Sequence, residues 1–320
     1  MAGDQEKLAR LYRALPRGGR RAAAQLAAAA ALLPAELEAA LEGLRAAGAA
    51  VEGDAAQGFG LSLPPPLERE ALTALVTTGV GRNFFLRETV ATTMAAAEAA
   101  AAVGAPHGTA VLAEGQTAGR GRRGRSWASP SRLGLYLSVV LERRRAPPEI
   151  TVLPLLAGVA VAEAIAAETA VAVGVKWPND LLAGGAKVGG ILAEAHRDPG
   201  VVIVGIGVNC WHCLFDFPPD LPYLATSLAM AGAASLDRTA LAAAILNDLG
   251  RWLERWAEEG VETVLAAWRE RNVTLGRRVR VADTGVVGLA AEVADDGALV
   301  VVEDDGREYR IQAGDVIPLD

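Results

Sequence analysis

Residues 201–208 read Val-Val-Ile-Val-Gly-Ile-Gly-Val, and no other stretch limits the fold so strongly. β-Branched residues at this density favour a strand, and an apolar strand without alternation has to be covered on both faces. The expectation is a sheet backed by helices. Further strands are expected at 110–116, 133–141 and 171–176, with a hairpin over 182–194 turning at Gly184 and Gly185. Helices are expected over 150–168, 238–259 and 261–271. The first carries Pro154 and Glu163, which suits a buried helix better than a membrane span. The class is α+β, with a central mixed sheet.

The ends of the chain follow other patterns. Leu8, Leu11 and Leu15 mark one helix and an alanine-rich run over about 20–31 a second. A third runs from Pro34 through Leu37, Leu41 and Leu44 to Gly48. A two-stranded wing over 49–63, turning near Gly53 and Asp54, would complete a winged helix-turn-helix over 1–66. A small helical dimerisation or capping unit would share this pattern. Pro64, Pro65 and Pro66 form a stiff linker into a central domain, 67–272. From 273 to 320 the chain alternates in short strands at 278–281, 288–293, 299–303 and 308–311. Turns at 283–285, 295–297 and 304–306 give a small barrel of SH3-like size.

Charge argues against general nucleic-acid affinity, at −7 net with a pI near 5.2. Residues 1–66 balance seven basic against seven acidic groups. The would-be recognition helix carries Glu36, Glu38 and Glu42, and residues 33–44 hold no Arg, Lys, Asn or Gln. DNA binding is therefore expected to be weak or absent. Met1 to Lys7 is polar, with no signal peptide visible, and two cysteines fit a reducing cytoplasm without a disulfide framework. Cys210 and Cys213 form a C-x-x-C with no second pair, which leaves redox or zinc roles poorly supported and no metal site expected.

Against that acidic background, Arg120, Arg122, Arg123 and Arg125 fall within six residues, interleaved with Gly119, Gly121 and Gly124 and ending at Trp127. Guanidinium forks match phosphate and carboxylate, and glycines let backbone wrap an anion. A solvated basic turn has the same composition. The spacing also satisfies G-x-G-x-x-G, but Ser129-Pro130-Ser131 and a strand follow where a dinucleotide site needs a helix. Of 31 basic residues only Lys7, Lys176 and Lys187 are lysine. Two of these sit in Lys176-Trp177-Pro178-Asn179-Asp180 and Lys187-Val188-Gly189-Gly190, as a compact point charge near an anion would require. Each stretch alone would pass for a surface turn.

The three stretches together, in this order and spacing, resemble the biotin–protein ligase family, of the bifunctional ligase/repressor type. Glu88-Thr89-Val90 before Thr92-Thr93, Gln116, Gly205 to Asn209 and Ala225 to Leu228 extend the resemblance along the chain. It implies a class II synthetase-like catalytic domain. It also implies a two-step reaction: ATP activates biotin to biotinyl-5′-AMP, and a lysine of a biotin carboxyl carrier protein then takes the biotinyl group. Mg²⁺ would accompany ATP. The resemblance implies biotin contacts at Thr92, Thr93, Met94, Gln116, Arg120, Gly121, Arg122 and Lys187, and nucleotide contacts at Arg120, Arg122, Trp127, Lys176, Asn179, Asn209 and Trp211. Lys187, Arg122 and Asp180 would be the catalytic set. Thr92-Thr93-Met94 departs from the family's Ser-Thr-Asn, so Met94 lacks an amide. The resemblance also admits a homodimer, a biotin-responsive repressor and, less well, a lipoate-type ligase.

Overall fold

The computed structural model describes residues 2–319. Three helices, α1 (Ala2–Ala14), α2 (Ala23–Ala30) and α3 (Pro34–Ala46), precede a hairpin of β1 (Val51–Asp54) and β2 (Gly58–Leu61). Leu11, Leu26, Leu41 and Leu44 meet in a small core of their own, as the leucine spacing requires. Pro34 opens α3, and the Glu36 carboxylate accepts from the Leu33 amide at 2.8 Å, satisfying a donor that the helix start leaves free. The hairpin turns at residues 55–57, just beyond the expected position.

The linker is tied down by charge. Arg238 and Glu114 form a buried ion pair at 2.8 Å. Arg238 also donates to the carbonyls of Pro65 and Gly134, while Glu114 accepts from the Leu67 amide. Satisfied on several sides, the pair is tolerable in the core, but losing either partner would strand a buried charge.

The central part contains α4 (Arg69–Leu75), β3 (Phe84–Val90), α5 (Thr93–Ala102), β4 (Ala110–Gln116), β5 (Gly134–Glu142), α6 (Val152–Thr169), β6 (Gly174–Lys176), β7 (Asp180–Ala183), β8 (Ala186–Ala195), β9 (Val201–Asn209), α7 (Arg238–Glu259) and α8 (Val261–Arg271). Its seven strands run β3-β4-β5-β9-β8-β7-β6, with β3 and β4 parallel and every other pair antiparallel. The mixed sheet is thus present, with three adjustments to the expected elements. The edge strand β3 and helices α4 and α5 are additional. The strand expected at 171–176 begins only at Gly174. The hairpin turns at Gly184 and Gly185 as expected, but its first strand starts at Asp180.

Alternation along β9 divides the sheet into two faces. Val202, Val204, Ile206 and Val208 join the core beneath α6 and α7, whereas Ile203 joins Val140 and the Met94 and Ala97 side chains of α5. Among the described residues α6 is the one helix long and apolar enough to cross a membrane, and most of it is buried within the protein. Its Glu163 accepts from Trp252 Nε1 at 2.8 Å and pairs with Arg271 at 3.0 Å, which accounts for an acid in that position.

The C-terminal part contains β10 (Arg278–Val281), β11 (Val287–Val293), β12 (Leu299–Val302), β13 (Glu308–Ile311) and β14 (Val316–Pro318), an antiparallel sheet in the order β13-β12-β11-β10-β14. β14 is one strand more than the sequence pattern gave. Val279, Leu299 and Val301 are continuous with the central core. Trp177, which as a turn residue would be expected at the surface, is almost wholly buried. Its Nε1 donates to the Gly297 carbonyl at 2.9 Å and its amide to Thr274 Oγ1 at 2.9 Å, joining the two parts.

Candidate active site

The site lies on the face of the sheet that α5 leaves partly open. Gly205 and Gly207 share the parity of Ile203 on β9, and Gly190 pairs with Gly207 from β8. With no side chains here, the sheet itself forms a flat floor. A Cβ at Gly205 would lie 2.7 Å from Met94 Sδ, and one at Gly207 would lie 2.8 Å from Trp127 Nε1. Above the floor is a cavity of about 300 Å³ that reaches from Thr93 and Gln116 past Lys187 to Asp315 and Ile317 of the C-terminal part.

One end is polar. Gln116 Oε1 accepts from the Thr93 amide at 2.8 Å, and its Nε2 donates to Ser129 Oγ at 2.8 Å. Ser138 Oγ, from the middle of β5, donates to Thr93 Oγ1 at 2.8 Å. The two threonine hydroxyls do different work: Thr92 Oγ1 accepts from the Ala95 amide at 2.9 Å as the N-cap of α5. Met94 is a core residue on the buried side of α5 that also lines the cavity, so it contributes shape there and no side-chain amide.

Lys187 stands at the centre. Its Nζ is 2.5 Å from Asp180 Oδ1, 4.9 Å from the Tyr223 ring centroid and 5.5 Å from that of Trp127. Backbone bonds from Lys187 to Leu224 and from Thr226 to Lys187 fix its position. Arg122 Nη1 donates to Asn179 Oδ1 at 3.1 Å, while Asn179 Nδ2 donates to the Ile191 carbonyl at 2.7 Å. Burial pushes both Arg122 and Lys176 below their ordinary proton affinity. Such half-desolvated cations gain most from an arriving anion. Gly121 and Arg120 also line the cavity, but Arg120 pairs with Glu194 at 2.9 Å and Glu98 at 3.4 Å.

On the far side of Trp127 and Lys187 is a second chamber of about 260 Å³, lined by Asn209, Phe217, Leu221 and Tyr223. Asn209 belongs here, its Nδ2 donating to the Thr226 carbonyl at 3.0 Å. Trp211, expected as a nucleotide contact, lines neither chamber; the aromatic side chains along the second are Trp127, Phe217 and Tyr223.

Residues 88–210 match the family model of the biotin/lipoate A/B protein ligase family, and 274–317 match the biotin protein ligase C-terminal domain. The biotin–[acetyl-CoA-carboxylase] ligase of Mycobacterium tuberculosis is 38% identical over 267 residues, covering 80% of this chain and 97% of that protein. This chain belongs to the biotin protein ligase family. The bifunctional ligase/repressor BirA of Bacillus spizizenii is 31% identical over 283 residues, 86% of this chain and 87% of that protein. Among solved structures, the biotin protein ligase of Aquifex aeolicus in complex with biotin and ATP superposes with a TM-score of 0.65 at 27% identity, covering 74% of this chain and 98% of that one.

The ligase's second chamber is bounded by a segment that also touches the N-terminal helices. Asp216 accepts from Tyr12 Oη at 2.7 Å and from Arg17 Nη2 at 2.5 Å, and Tyr12 stacks obliquely on Phe215 at 5.6 Å. Cys213 lies in the N-terminal core, and burial pushes its thiol up to about 11 and that of Cys210 to about 12. Two protonated, buried thiols have the character of packing residues rather than of a redox pair. His212 between them stacks on Phe217 at 5.3 Å, and both of its ring nitrogens are buried without a partner.

Sequence reasoning missed Ser138, Tyr223, Phe217 and Asp315. A lone serine in an otherwise apolar strand, flanked by Leu137 and Val139, was the one available signal for Ser138. The other three lie in loops or at strand ends far along the chain, and only the fold brings them to Lys187.

Proposed function

We propose that this biotin protein ligase uses ATP to convert biotin to biotinyl-5′-AMP and then passes the biotinyl group to a lysine of a biotin carboxyl carrier protein. The observation that carries the reading is Lys187, paired with Asp180 on a glycine floor between two chambers. Biotin's sulfur-containing ring and its alkyl chain are apolar, and a floor without side chains leaves room for them to lie against the sheet. Its ureido group offers one acceptor and two donors, for which Thr93, Ser138 and Gln116 supply matching groups. The carboxylate would then point at Lys187, displacing Asp180, and the nucleotide base would enter the second chamber beside Asn209 and Tyr223.

In the first step a carboxylate oxygen forms a bond to the α-phosphorus and the bond to pyrophosphate breaks. Two anions approach, so Lys187, Lys176 and Arg122 offset their repulsion. In the second step the acceptor amine attacks the acyl carbon and AMP departs with the electrons of the broken C–O bond. The ammonium must lose a proton, and Asp180, freed from Lys187, is the carboxylate positioned to take it. Mg²⁺ fits as an ion carried on the nucleotide: the described residues contain no cluster of three metal-binding side chains, though Asp180 and Asp315 line the cavity. When bound, it would neutralise phosphate charge.

Incubation with ATP and Mg²⁺ plus either biotin or lipoate, followed by mass spectrometry, tests the substrate. Biotinyl-AMP is expected, and lipoyl-AMP instead would overturn the reading. Lys187→Arg is expected to lose most adenylate formation, because a planar fork cannot occupy the place of a compact charge. Pyrophosphate release within a few-fold of wild type would refute the role of Lys187.

We read the N-terminal part as a winged helix and the C-terminal part as an SH3-like barrel, each in support of catalysis. Relatives include a ligase/repressor, yet the first turn of α3 does not suit phosphate. Glu36 bonds to Lys7 at 2.9 Å, and Arg45, the helix's one cation, is paired with Glu42 at 2.5 Å. Anisotropy titration of the adenylate-loaded chain against the DNA upstream of its own biotin genes, at moderate salt, should show no nanomolar binding. Sequence-specific binding lost on deleting residues 1–63 would make it a repressor as well.

A further inference from the structure

The glycine–arginine loop reaches the rest of the molecule in an uneven way. Among the described residues, the backbone hydrogen bonds of 120–126 run within the loop, as from Gly121 to Arg125 at 2.8 Å and from Arg125 to Arg122 at 3.2 Å. Arg123 has a φ of 59°, a conformation that disfavours a residue with a Cβ, so the loop tip does not hold itself in this shape. Side chains fix it from outside. Arg123 makes a two-pronged contact with Asp283, with Nη1 to Oδ1 at 2.5 Å, and lies 3.9 Å from Asp315. Arg125 pairs with Asp315. Arg122 turns inward to Asn179, Arg125 borders the cavity at Asp315, and Arg123 lies outside the cavity lining.

We propose that Asp283 and Asp315 are positioning residues that latch the 119–127 loop to the C-terminal sheet, so that the closed loop retains the acyl-adenylate. The inference rests on the ligase reading and divides labour among the arginines. Arg122 faces the phosphate, while Arg123, outside the cavity lining, and Arg125, held by Asp315 at the cavity rim, fix the lid. Asp283 lies in the β10–β11 turn and Asp315 immediately before β14, and Val281 pairs with Val316, so the sheet supplies both acids from the same end of two neighbouring strands. Both pairs are part-exposed, with Asp283 at 34% and Asp315 at 28% side-chain exposure. Such pairs are individually weak and sensitive to salt, which suits a lid that must reopen for the acceptor lysine.

The test uses the full chain with Asp283→Asn, a change outside the cavity lining. Dissociation of biotinyl-AMP is expected to quicken about three- to fivefold, the upper scale of one part-exposed bidentate pair, with adenylate synthesis within about 1.5-fold of wild type. Trypsin should nick 120–125 faster, and salt should accelerate release in wild type more than in the variant. The exchange Arg123→Asp with Asp283→Arg restores the charges and should restore retention, since aspartate tolerates a positive φ. Wild-type release and nicking rates in Asp283→Asn would overturn the latch, as would an exchange variant no tighter than the single changes. If the wild type makes no adenylate from biotin, the ligase reading fails, and the trypsin comparison still decides the latch.

Discussion

The two ends of the chain meet the catalytic part in opposite ways. The N-terminal helices keep a separate core and touch the site through one segment, where Asp216 holds Tyr12 and Arg17. The C-terminal sheet shares the central core, seats Trp177 and lines the cavity directly with Asp315 and Ile317. The first arrangement can influence the site only by shifting one wall. The second makes the C-terminal sheet part of the site, so it cannot be removed without opening the cavity.

The sharpest challenge to this contrast is Trp177→Ala. It empties a large buried volume at the joint and breaks the bond to Gly297, so a loss of about 3–5 kcal/mol is expected, read as a lower urea midpoint of the whole chain. A biphasic transition, with the C-terminal sheet melting alone, would show that the two parts are less continuous than their shared core implies.

The N-terminal contact is expected to be acid-sensitive. Burial lowers His212 to about 4 from an ordinary 6.5, and Asp216 and Arg17 are the charged groups facing it. The unfolded chain therefore takes up a proton below about 6.5 that the folded chain refuses until about 4. Stability contributed by neutral His212 is complete above 6.5 and lost as pH falls through that window, on the order of 3 kcal/mol in all. His212→Phe keeps the stack on Phe217 and removes the titration. Thermal melts from pH 7 to 4.5 should show a shallower acid limb in the variant, and parallel limbs would refute the assignment.

The smallest expected effect is that of Asp216→Ala, about 1.5–3 kcal/mol for charge-assisted bonds. It should raise the KM for ATP while leaving that for biotin near wild type, because the segment borders the second chamber only. If it destabilises the chain as much as Trp177→Ala, the two ends are not different in kind.

Residues whose identity is itself unusual were legible in the sequence. Arginines clustered in an acidic chain and lysines rationed to three mark the loop, Lys176 and Lys187. The apolar run of β9 marked the sheet's centre. Elements without contrast were not legible. β3 is an edge strand in which Phe84 and Leu86 pack inward and Phe85 and Arg87 are exposed, so apolar Phe85 hides the alternation in the sequence. The alanines of α5 distinguish no face, and α4 is only seven residues long. Contacts made at long range were also invisible, among them Trp177 to Gly297 and Arg123 to Asp283, because nothing local distinguishes a latched arginine from a solvated one.

The glycine floor makes this binding site a one-sided target for variation. Every substitution at Gly205 or Gly207 adds atoms, and the first one added already lies within 3 Å of Met94 or Trp127. A pocket walled by leucines can be tuned gradually, a methyl group at a time in either direction. Here gradual change is available only in the surrounding walls, at Met94, Leu192 or Tyr223. A lineage drifting towards a bulkier or slimmer ligand would therefore record its history in those walls, while the floor stayed blank.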